Sequence, residues 1–78
     1  MAKTMLSDWT AFRKEVDRVV SNTCGLGLSC LADVDIWDYF PEGRVGMSEY
    51  AMCVEEAACW VLDENSFPYD KLVLTGGV

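Results

Sequence analysis

The chain has no histidine, and among its 78 residues only six are basic against 13 acidic. Without histidine there is no Ser-His-Asp or Cys-His pair, and the commonest general base at neutral pH is missing. Two carboxylates could divide acid and base roles only in a cleft that shifts their pKa values apart, and nothing in so short a chain suggests one. An enzyme is not expected. Basic residues are scarcest after residue 18. There Arg44 and Lys71 alone face ten carboxylates for a net −8, while residues 1–18 carry +1. A nucleic-acid reader needs a basic stripe; only Arg13, Lys14 and Arg18 offer one, so direct DNA or RNA binding is not expected either. No apolar run approaches the roughly 20 residues of a membrane span. Residues 1–12 also lack the apolar stretch of a secretion signal. The expectation is a cytoplasmic protein with reduced thiols, free of internal repeats and low-complexity tracts.

Cofactor and metal motifs are missing as well. Cys24, Cys30, Cys53 and Cys59 form two C-x5-C pairs, which is not a zinc spacing. Cys53 and Cys59 fall on one helix about 9 Å of rise apart, too far to bridge each other. A disulfide would have to join the first pair to the second. The favoured reading is four buried thiols packed as small apolar side chains. Gly25-x-Gly27 follows a helix and lacks the third glycine of a dinucleotide fingerprint. Asp33-x-Asp35-x-x-Asp38 resembles part of a calcium loop, but the sixth position is Asp38 where glycine is required, and the twelfth is Arg44 where glutamate is required.

What the chain does have is apolar and aromatic: half its residues are hydrophobic, and nine are aromatic, including Trp9, Trp37 and Trp60. That is enough for one domain spanning 1–78, with 75–78 frayed, although a core of this size rarely supplies more than ~3–5 kcal/mol of net stability. The pattern predicts an all-α fold of three helices at about 8–22, 33–40 and 48–64. The first has Ser7 as N-cap and a stripe of Trp9, Phe12, Val16, Val19 and Val20, and it ends at Gly25 or Gly27. Ser29 caps a single turn, Cys30-Leu31-Ala32. Asp33 then caps a short second helix in which Ile36, Trp37 and Phe40 share a face, closed by Pro41-Glu42-Gly43. The third helix opens at Ser48, with Val45 or Met47 as staple and Asn65 as left-handed terminator. Its core face is Tyr50, Ala51, Val54, Ala57, Ala58, Val61 and Leu62. Phe67-Pro68 ends the helical part. Leu72-Val73-Leu74, within 69–74, reads as an extended tail or a short edge strand.

The opposite side of the third helix is unusual. Glu49, Glu56 and Asp63 recur every seven residues, with Cys53 and Trp60 beside them and Met52 and Cys59 on the other edge. A lone domain would not ordinarily set a tryptophan beside its solvated stripe. With Asp33, Asp35, Asp38 and Glu42, these carboxylates can present charge to arginines and lysines that normally hold phosphates. Trp60, Met52 and Cys53 would supply a desolvated anchor. Alternatively, the same side packs on the tail or on a second copy, making a small structural or regulatory subunit that homodimerises there. A field of this sign steers a protein toward basic surfaces; it also serves simply to keep a small hydrophobic protein soluble.

The run Leu26-Gly27-Leu28-Ser29, then Asp33, Asp35 and Asp38, then Glu42-Gly43, Met47-Ser48 and Glu56-Ala57-Ala58, resembles short acidic proteins of phages and mobile elements, of the anti-CRISPR and anti-restriction kind. The resemblance spans about residues 10–67 and rests on the style of its helix punctuation. It implies a non-enzymatic inhibitor that occupies the surface of a host nucleic-acid-handling complex, such as a CRISPR effector, in the host cytoplasm. It assigns no role to any single residue.

Overall fold

A computed structural model describes residues 4–32 and 34–67. The order is strand β1 (Thr4–Leu6), helix α1 (Trp9–Cys24), two 3-10 turns, η1 (Leu28–Cys30) and η2 (Trp37–Tyr39), strand β2 (Arg44–Gly46) and helix α2 (Met47–Glu64). This overturns the all-α, three-helix expectation. Two long helices stand as predicted, the segment expected to be a helix at 33–40 holds one 3-10 turn, and a two-stranded sheet appears. The segments 69–74 and 75–78, on which a strand and fraying were expected, lie outside the described residues, as does Asp33.

The middle helix fails for a local reason. A residue before proline is pushed out of the helical region, and Phe40, before Pro41, is extended at φ −72°, ψ 119°. The turn at Trp37–Tyr39 therefore cannot continue through Phe40, and residues 34–36 before it are not helical. Beyond it, Gly43 takes φ +80°, a conformation that favours glycine, and the chain enters β2. β1 and β2 pair antiparallel with Met5 opposite Val45. Val45 is buried and Met5 half-buried against the core, so this pair turns inward while Leu6 stays 67% exposed.

The caps also differ from expectation. Asp8, not Ser7, caps α1, its carboxylate accepting from the Ala11 N–H at 2.9 Å. The Ser7 hydroxyl instead meets the carbonyls of Pro41 and Gly43, and its N–H donates to Gly43 O at 2.9 Å. Ser7 thus ties the start of α1 to the loop entering β2. At the other end Gly25 is left-handed, as a C-cap glycine should be. α2 starts directly from β2 with Gly46 at its N-cap, so Ser48 lies inside the helix. The positive φ after α2 belongs to Ser66, at 63°, and not to Asn65. The turn expected at Cys30–Ala32 sits two residues earlier. The Leu28 N–H there donates to the Asp17 carboxylate at 2.7 Å. A Cβ on Gly27 would come within 2.9 Å of that carboxylate, so this close approach of loop to helix favours glycine.

Phe12, Val16, Val19 and Val20 of α1 and Tyr50, Val54, Ala57, Ala58, Val61 and Leu62 of α2 form the core, with Leu28, Ile36 and Val45 closing it. Trp9 is half-buried and Ala51 exposed, so each predicted stripe loses one member at its edge. Phe12 and Tyr50, both early in their helices, have ring centroids 5.8 Å apart. The Ala32 N–H donates to the Asn65 side chain. Ala32 thus sits at the C-terminal end of α2 and Pro41 at Ser7, and residues 34–41 cover one flank of the helix pair.

Candidate partner-binding surface

On α2 the seven-residue spacing keeps Glu49, Glu56 and Asp63 within about 40° of one another around the axis and about 21 Å apart end to end. All three are exposed, as are Asp35, Asp38 and Glu42, and none is ion-paired with a described residue. Their field reaches the neighbouring thiol. Cys53 is pushed above the usual thiol range by burial first, then by Glu56 and Glu49. Cys59 is raised by burial, then by Glu55 and Glu56. Both stay protonated at neutral pH, so neither is primed as a nucleophile. All four cysteines are free, and the expectation of buried thiols is not met: Cys30 is exposed and the others are half-buried. Among the described residues no cluster of three or more Cys, Asp and Glu is placed to hold a metal ion.

The residues predicted to form one surface are only partly brought together. With three residues per turn, Trp37, Asp38 and Tyr39 leave η2 about 120° apart. Tyr39 turns to Trp60 of α2, at 6.4 Å between rings. Trp37 turns to Trp9 of α1, at 4.6 Å and 66°. Asp38 is left facing solvent. η2 therefore meets α2 on the Trp60 side of the acidic stripe. Trp60 and Cys53, read from sequence as an outward anchor, are half-buried and packed against the core. Of the three, Met52 alone faces outward, at 59% exposure. Glu42 lies in the loop held by Ser7, at the opposite end of the molecule from Asp63.

Two features have no counterpart in the sequence expectation. One is an aromatic cluster at the start of α1, where Trp9, Trp37 and Phe40 pack edge to face or tilted at 4.6–5.4 Å above the buried ring of Phe12. Trp37 is 51% exposed. The available signal was Asp35-Ile36-Trp37-Asp38, a tryptophan with carboxylates on both sides. The other is a groove of about 440 Å³ on the opposite flank of α2 from η2, floored by Val19, Tyr50 and Val54 with Met5, Met47 and Ala51 at its edge. Arg18 and Glu15 form an ion pair at 2.9 Å on its rim, and the hydrogen bond from Arg18 holds Glu15 below its ordinary value.

Comparison with protein-family models, with curated proteins and with solved structures finds no match to this chain. Among the described residues no helix is long and apolar enough to cross a membrane.

Proposed function

We propose that this chain is a non-enzymatic binding protein that inhibits a host nucleic-acid-handling defence complex, in the host cytoplasm, by covering a basic surface of that complex. The observation that carries the reading is the set of six exposed carboxylates with no ion-pair partner among the described residues, Asp35, Asp38, Glu42, Glu49, Glu56 and Asp63, three of them in register along one helix. Exposed like charges destabilise the compact state slightly by self-repulsion and speed encounter with an opposite surface. The resemblance to anti-CRISPR and anti-restriction proteins supplies the class of partner.

The charge density limits how the surface works. A DNA duplex carries one phosphate charge per ~1.7 Å, hence about twelve over 21 Å, against three along the α2 stripe. The face is too sparse to copy a nucleic acid phosphate by phosphate. Its charges orient the complex, and apolar contacts must supply much of the affinity. A homodimer through the outer side of α2 would have to rely on Met52, because Trp60 is engaged with Tyr39.

The test is phage plating on hosts that each carry one nucleic-acid-targeting defence system, with and without this chain. Plating restored against one such system, together with a stable complex between that purified effector and the chain, is the expected result. Unchanged plating against CRISPR and restriction systems alike would refute the inhibitor reading.

A further inference from the structure

The geometry points to the Trp9–Trp37–Phe40 cluster with Asp38 as the docking point for an arginine side chain of a partner protein. This rests on the reading of the chain as a binder of basic surfaces and deepens it by naming the contact. The cluster is rigid. Trp37 is fixed from below by Trp9 at 4.6 Å and Phe40 at 5.4 Å. Phe40 rests on buried Phe12 at 5.4 Å, and Ile36, the residue before Trp37, is itself buried. Little side-chain freedom is left to lose on binding. The platform is also open, with half of the Trp37 surface facing solvent.

Its surroundings select the occupant. Asp38 leaves the same turn toward solvent, Asp35 lies two residues before Trp37, and both are exposed with no ion-pair partner among the described residues. An apolar ligand would cover the indole but also strip water from unpaired carboxylates, which is costly. A cation satisfies both. Between the two cationic side chains, the guanidinium is flat, stacks on an indole face, and still offers N–H donors at its edge to a carboxylate. A lysine ammonium is a compact, strongly hydrated charge that cannot stack in this way.

The test titrates the full chain with two synthetic twelve-residue peptides, alternating arginine or lysine with glycine. Calorimetry gives the affinity, and tryptophan fluorescence reports the site. The expected result is arginine-peptide binding at least about three-fold tighter than lysine-peptide binding. Trp37→Ala should weaken the arginine peptide about five- to ten-fold and abolish the preference. Trp37→Phe should retain part of both, which guards against an alanine variant that fails to fold. Asp38→Asn should weaken binding a few-fold without removing the fluorescence response. Equal affinity for the two peptides, no binding to either, or an unchanged affinity in Trp37→Ala overturns the proposal. If Trp37→Ala changes nothing while Glu49→Lys, Glu56→Lys and Asp63→Lys together abolish peptide binding, the acidic-surface reading stands and the arginine platform falls. If neither variant changes it, both fall.

Discussion

Phe12 is the residue on which the helix pair and the aromatic cluster both depend, so its replacement tests the packing most sharply. It is fully buried, and its ring meets Phe40 at 5.4 Å, Tyr50 at 5.8 Å and Trp9 at 6.2 Å. Phe12→Ala would cost ~3–5 kcal/mol, as much as a domain of this size has to lose, and would simply unfold it. Phe12→Leu keeps the site apolar and nearly filled. A volume-conserving swap alone costs under ~1.5 kcal/mol, and each lost ring pair adds ~0.5–1.5 kcal/mol. Even at the low end, three pairs alone bring the loss to about 1.5 kcal/mol. At ~4–8 °C per kcal/mol for a chain of this length, the melting midpoint should fall by at least about 6 °C. Thermal and urea melts followed together by circular dichroism and tryptophan fluorescence measure this. A loss below ~1 kcal/mol, within what the volume change alone explains, would refute the claim that these ring contacts hold the two halves together.

Gly27→Ala should destabilise by about 1–2 kcal/mol, because the new Cβ meets the Asp17 carboxylate at 2.9 Å, and Asp17→Ala should remove that added cost while losing the bond to Leu28. A double-mutant cycle checks the coupling. Maleimide labelling read by mass spectrometry should modify exposed Cys30 first and Cys53 and Cys59 slowly, since burial and nearby carboxylates raise both thiols. Stability against urea should also fall at alkaline pH. Tyr50 is raised by burial, then by Glu15 and Asp8, and Cys53 and Cys59 are raised too. Groups raised on folding support the fold below their unfolded values and withdraw that support as pH climbs through the folded ones, so a urea midpoint that holds steady from pH 8 to 11 would contradict these burial assignments.

The two long helices were legible in the sequence because sixteen or more residues repeat an apolar stripe often enough to outvote local exceptions. Both stripes were recovered almost residue for residue, with Trp9 and Ala51 misplaced only at their edges. The strands were not legible. Three residues, such as Arg44-Val45-Gly46, give too short an alternation to register, and their partner lies about 40 positions away. The middle segment misled for a different reason. Ile36, Trp37 and Phe40 have helical spacing, but Pro41 bars Phe40 from the helix, and a 3-10 turn sends Trp37 and Tyr39 to different helices. That divergence changes which tryptophan is open to solvent. Trp60 is taken up internally by Tyr39, and Trp37, expected on the core face, is left half open. Side-chain partners across the chain decided both, and no local pattern carries that information. The acidic stripe of α2, fixed by helical period alone, was placed correctly as exposed.

The central claim is that this stripe and its neighbours engage a basic partner surface, and the most direct measurement is reversal of Glu49, Glu56 and Asp63 to lysine together in the phage-plating assay. All three are exposed. Loss of Glu49 from the first turn of α2 costs ~0.3–1 kcal/mol, and Asp63→Lys in the last turn returns a similar amount, so the fold should persist. Faster alkylation of Cys53, freed from the field of Glu49 and Glu56, would verify that the charge had changed as intended. The account predicts that wild-type chain restores plating against the defence system it blocks and binds its effector, while the triple variant, equally folded, does neither. Full protection and undiminished binding by the triple variant would contradict it.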